Sequence, residues 1–169
     1  MKTISKTIFL IAFVILGFTS CKDQGEPGTP GLDATVYYSQ WITPSDWLGT
    51  SGDWYFDVNA PDLKADIVES GVILAYVSLD GDVYESNAVR PLPAYAVGAN
   101  WDFLIPEYEV IEFTSDMISK PVTTGNNFRF IAIPGNVETI KSASEKNKSE
   151  QELRSMTYKD VCKLYNIPE

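Results

Sequence analysis

From residue 35 onward, apolar and polar positions alternate over short runs, and each run ends in Gly, Pro, Asn or Asp. That pattern describes half-buried strands joined by turns. Residues 35–43 set Val36, Tyr38, Gln40 and Ile42 against Tyr37, Ser39 and Trp41. Residues 53–60 place Trp54, Phe56 and Val58 on one face, with Asp53, Tyr55, Asp57 and Asn59 on the other. Residues 71–79 are nearly continuously apolar, which suits a central strand. Asp80-Gly81 then predicts a hairpin turn into 82–90, because glycine accepts the positive φ that a tight hairpin demands. Residues 101–105, 108–114 and 127–133 complete the set. The last sets Phe128, Phe130 and Ala132 against Arg129, Ile131 and Ile133. Pro91, Pro93, Pro106, Pro121 and Pro134 sit at the ends of runs, where a missing N–H is tolerated. About seven short strands predict a mainly β chain, an antiparallel β-sandwich of Ig-like or jelly-roll-like kind, with one short C-terminal helix. Long helical stretches between strands are lacking, which argues against βαβ units.

The sandwich is expected over 35–141. A polar loop follows at 142–156, overlapping a charged stretch (141–152) that also reads as a solvated helix. The C-terminal helix is expected over 157–167. Thr157 stands at its N-cap with Asp160 three residues on, a variant of the capping box. Tyr158, Val161, Cys162, Leu164 and Tyr165 form its apolar stripe, and Asn166 and Pro168 stop it. Such a helix is expected to dock on an open edge or end of the sheet, which also protects the edge. With no second cysteine in the body, Cys162 reads as a small buried hydrophobe.

The first 34 residues follow a different pattern. Lys2 and Lys6 precede the apolar run 8–18, which is too short to span a bilayer core of about 20 residues. A basic start, a short apolar run and small residues before a cut site describe an export signal over 1–20. The residues Phe18-Thr19-Ser20-Cys21 resemble the lipobox of bacterial lipoproteins, with Phe18 where leucine is usual. The resemblance implies lipidation of Cys21, for which an ordinary cleaved signal with an incidental cysteine is the alternative. Acyl chains suffice physically, since each buried methylene contributes about 0.8 kcal/mol. Lys22, Asp23 and Glu26 follow, either as a surface-export signal of the Bacteroidota kind or as the start of a hydrophilic tether. Gly25, Gly28 and Gly31, with Pro27 and Pro30, repeat the collagen spacing over too short a length for a triple helix, so 21–34 reads as an extended tether. Lipobox cysteine, Gly-x-Pro stretch and β domain together resemble the small "collagen-like" lipoproteins of Bacteroidota. That group has no assigned activity, and the resemblance implies an outer-membrane lipid anchor (palmitate on Cys21) with the orientation left open.

Charge narrows the partners. The 169-residue chain has 13 basic and 23 acidic residues, a net charge of −10. Removing 1–20 takes away Lys2 and Lys6 and no acid, so 11 basic residues face 23 acids, a net −12. Such a body repels phosphate backbones and anionic lipid surfaces, so nucleic acid is not an expected partner. The absence of histidine excludes Ser-His-Asp and Cys-His catalysis and His-ligated zinc.

Three kinds of candidate chemistry remain. Asp53, Asp57 and Asp62, with Asp80 and Asp82, invite calcium, but they lack the extended acidic loop order such sites use. Turn chemistry and solvated strand faces explain them, and no metal or cofactor is expected. Glu107, Glu109 and Glu112 near one strand offer paired carboxylates, which alternate acids facing water also explain. Trp41, Trp47, Trp54 and Trp101 offer flat faces for sugar rings. Trp54 falls in phase with core positions, whereas Trp47, in the turn-rich stretch 44–52, is expected to be exposed and is the candidate ligand-contacting residue. The expected role is non-catalytic: a lipid-anchored envelope protein for interaction, adhesion or structure, with an envelope protein or a glycan as partner. A glycan-binding accessory of a nutrient-uptake system is the alternative.

Overall fold

The computed structural model describes residues 35–82, 88–135 and 148–169. The expected leader, Cys21 and the tether lie outside the described residues. Nine strands are described: β1 (Tyr37–Tyr38), β2 (Leu48–Thr50), β3 (Asp53–Asn59), β4 (Val72–Ser78), β5 (Val89–Pro91), β6 (Ala94–Ala96), β7 (Ala99–Leu104), β8 (Val110–Ser115) and β9 (Asn127–Ile133). Three short helices are described: α1 (Ala65–Ser70) between β3 and β4, and α2 (Glu150–Ser155) and α3 (Tyr158–Tyr165) after β9. The strands form one sheet in the order β1-β9-β4-β5 and another in the order β2-β3-β8-β7-β6. Every neighbouring pair is antiparallel. The chain is mainly β, with two antiparallel sheets, consistent with the expected β-sandwich.

The predicted alternation sets what lies between the sheets. Phe56 from β3, Phe113 from β8, Trp101 from β7 and Phe128 and Phe130 from β9 are buried in one cluster with Val77 and Ala75 from β4. Phe56 stacks on Phe113 at 5.3 Å, and Phe128 meets both rings at about 5 Å (5.0 and 4.9 Å). Offset and edge-on contacts of this kind add to the burial of the rings.

A second cluster lies on the other side of the four-stranded sheet. Leu74 and Tyr76 of β4 and Ile131 and Ile133 of β9 pack there against Leu153 of α2 and Tyr158, Val161 and Cys162 of α3. The C-terminal helices therefore cover a face of the sheet, which corrects the expectation that they dock on its edge or end. The reason is on β4 and β9 themselves: both are apolar at nearly every position, so both faces need cover. Cys162 is a free, buried cysteine, as expected.

The stretch 142–156 is also corrected in part. Residues 150–155 form α2, started by a full capping box in which the Ser149 side chain accepts from the Glu152 N–H and the Glu152 carboxylate accepts from the Ser149 N–H. The predicted cap of α3 forms, with Thr157 Oγ1 accepting from the Asp160 N–H. The three-residue strands β2 and β6 and the helix α1 were not expected.

Candidate functional site

Trp47 is not exposed. It is 1% exposed, which corrects the expectation drawn from its turn-rich setting. Its backbone lies just before β2, but the ring enters the core and meets Phe56 at 4.9 Å and Trp101 and Phe128 at 5.8 Å each, all edge-on. A side chain that buries about 150–250 Å² dominates the polarity of the turn that carries it. No face of the ring is left for a ligand. Its Nε1 has no hydrogen-bond partner, unlike Trp101 Nε1, which donates to the Ala96 carbonyl at 2.9 Å. Trp54 is half-buried against the core, with Lys120 5.9 Å from its ring centroid.

The tryptophan that borders an opening is Trp41, and a register slip puts it there. Tyr38 pairs with Ile131, but Ile42 bridges to Phe128, so the first strand holds one residue more than its partner over this stretch. Such a bulge turns successive side chains to new faces. Tyr37 and Ile42 consequently pack into the inner core, whereas Val36 and Trp41 join the outer cluster under the helices. Simple alternation over 35–43 had set Tyr37 and Trp41 on the same face. The slip is bonded in place: the Phe130 N–H donates to Ser39 Oγ, and Arg129 Nε donates to the Ser39 carbonyl at 2.9 Å.

Arg129 is 2% exposed and organises this corner. Its guanidinium lies 5.3 Å from the Tyr38 ring centroid and 5.7 Å from those of Trp41 and Tyr158. One Nη donates to the Tyr158 hydroxyl and, at 2.7 Å, to the Pro168 carbonyl. Among the described residues no carboxylate pairs with it, so carbonyl dipoles and ring faces hold the charge. Burial pushes the Tyr158 hydroxyl up to about 12, and the Arg129 charge pulls against that shift.

An open cleft of about 770 Å³ begins where the helical cover ends. Its floor is the last row of the four-stranded sheet, Asn127, Ser78 and Val89, which are register partners across β9, β4 and β5. Trp41 walls it, and Thr157, Tyr158 and Lys159 at the start of α3 overhang it. Asn127 Oδ1 accepts from Thr43 Oγ1 at 2.6 Å, which fixes the amide. The volume falls in the range of small-molecule sites, and an aromatic wall beside a few polar groups is the usual composition of such sites. Among the described lining residues Glu169 is the one acidic residue.

No protein-family model matches the chain, and no curated protein or solved structure matches it.

The remaining acids take other positions. Asp82 forms a bidentate pair with Arg90 across the β4–β5 hairpin. Among the described residues, no three acidic or thiol side chains converge as a metal site. Glu107 lies in the turn before β8, where Glu109 adopts a φ of +66°, while Glu112 lies on β8 facing outward. There it is the register partner of Asp57. Burial, the Asp57 charge, a hydrogen bond with Asp57 and the Asp53 charge raise the Glu112 carboxyl above its ordinary range.

Proposed function

We propose that this chain is a cell-envelope lipoprotein, anchored in the outer membrane through Cys21, whose β-sandwich has a non-catalytic interaction role. The resemblance to small collagen-like lipoproteins supports the address. The observation that supports the role is the unequal cover of the two sheets. The four-stranded sheet is covered on both faces except for the row that floors the cleft, whereas the five-stranded sheet leaves one face to solvent with Leu48, Tyr95 and Leu104 exposed on it.

A second reading, a glycan-binding accessory protein, is favoured by the cleft beside Trp41. Asn127, Ser78 and Thr157 supply amide and hydroxyl groups at its floor and rim, the kind of donors and acceptors that fix a sugar against a ring. Titrating intact chain with polysaccharides while following tryptophan fluorescence separates the two. Quenching that is lost in Trp41→Ala supports glycan capture. Unchanged fluorescence, with a protein partner cross-linked to the anchored chain in intact cells, supports the interaction role. No quenching and no cross-linked partner would count against both.

A further inference from the structure

The uncovered face of the five-stranded sheet has a composition that the fold does not require. Register pairing puts the following residues on it, row by row. Leu48, Tyr55, Thr114 and Asp102 form one row. Asp57, Glu112 and Leu104 form the next. Asp53 and Thr50 lie at one end, and Asn100 and Tyr95 at the other side of that end. Asp116, just after β8, accepts from the Asn100 N–H at 2.7 Å and from its side-chain amide at 2.6 Å. No lysine or arginine stands on these strands. The face thus interleaves acids with exposed apolar surface: Tyr95 is 69% exposed, Leu48 51% and Leu104 44%. Asp57 and Glu112 stand directly opposite each other, and like charges so placed destabilise a sheet.

From this face we infer that it docks a basic, extended protein segment. The inference rests on the reading of the domain as a non-catalytic interaction module and names its partner's chemistry. Charge complementarity selects the occupant. A second copy offers the same acidic face in a two-fold contact. Its C-terminal helical region offers no net attraction either, since Lys148, Arg154, Lys159 and Lys163 are balanced there by Glu150, Glu152, Asp160 and Glu169. Nucleic acids and anionic lipids are repelled. A compact cation is not caged on these strands, because among the described residues no three acids converge. Acids spread over several strands instead match cations repeated along a chain, and Tyr55, Tyr95 and Leu48 give the stems of lysine or arginine something to lie on. Five strands about 4.8 Å apart give a face on the order of 400 Å². That is about half of the roughly 800 Å² per partner that a stable interface buries, so the capture is weak and reversible.

The test uses the full chain and a synthetic arginine–serine repeat peptide, with a glutamate–serine repeat as control, followed by amide chemical shifts. Binding of the basic peptide alone is expected, with shifts at Tyr55, Asp102 and Glu112. It should weaken steeply as salt rises through the physiological range. A fourfold variant, Asp53→Asn, Asp57→Asn, Asp102→Asn and Glu112→Gln, should weaken it about tenfold or more, as expected for four exposed charge pairs. The amides keep size and relieve repulsion, and unchanged shift dispersion of the free variant shows that it folds. Absence of peptide binding, shifts confined to the helices, or binding that survives the fourfold variant would each overturn the inference. Calcium alone saturating the same amides would reassign the face to a cation. Loss of the inference leaves the Cys21 anchor and the cross-linking result standing, so the two can fail separately.

Discussion

The two sheets share one core and differ in what lies behind them. Inside, both obey the same rule: every second residue is apolar and meets the opposite sheet. Outside, β4 and β9 are mostly apolar and are covered by α2 and α3 as far as the row that floors the cleft, whereas β3, β7 and β8 turn polar and stay wet. The charged residues follow the same division. The covered sheet buries one cation, Arg129, and surrounds it with carbonyls and rings. The bare sheet gathers acids with no cation among them. A sheet's outer pattern therefore reports whether a further layer is present, and where none is, its exposed chemistry is the surface available to partners.

The comparison breaks most sharply at Val161, which is fully buried between α3 and the covered sheet. Val161→Asp places an unpaired carboxylate there and should cost roughly 4 kcal/mol or more. Leu104→Lys on the bare face should stay within about 0.5 kcal/mol of the parent. Denaturant midpoints of both variants check this, and similar losses at the two positions would contradict the division. Arg129→Met keeps the length of the side chain but removes its bonds to Ser39, Tyr158 and Pro168. A loss of roughly 2–4 kcal/mol is expected, with hydrogen exchange accelerated first in α3.

A small effect of the opposite sign also lies on the bare face. Glu112 binds its proton more tightly in the folded chain than in the unfolded one. Deprotonation therefore costs stability as pH rises through the ordinary carboxylate range and then the raised folded value. Glu112→Gln should stabilise the chain by about 0.2–1 kcal/mol at neutral pH, the scale of a cross-strand pair. The gain should close as pH falls below the carboxylate range and the parent becomes neutral. Thermal melts at several pH values measure it, and a loss of stability in Glu112→Gln at pH 7 would show that the acid is held by attraction.

Much of this was legible in the sequence, because period carries it. β3, β4 and β9 were readable from their alternation, and the α3 cap from Thr157 and Asp160. The second layer was also written in β4 and β9, whose continuous apolar runs mark two covered faces. Docking the helix on an edge overlooked that signal. Ser149 and Glu152 likewise announce α2, within a stretch whose charge suggested a loop or a solvated helix. Other features left no periodic trace. The three-residue strands β2 and β6 are too short to show one. The single extra residue near Ser39 reverses the phase of Trp41 and so decides which tryptophan borders the cleft. Trp47 was misread because local turn composition describes the backbone, and a large ring can leave the backbone's surroundings altogether.

Labelled palmitate incorporation by wild type and Cys21→Ala in growing cells tests the central proposal most directly. The account predicts label on the wild-type chain and none on the variant, which should then leave the membrane fraction. An unlabelled wild-type chain, or equal label on Cys21→Ala, would contradict the anchor on which the envelope role rests.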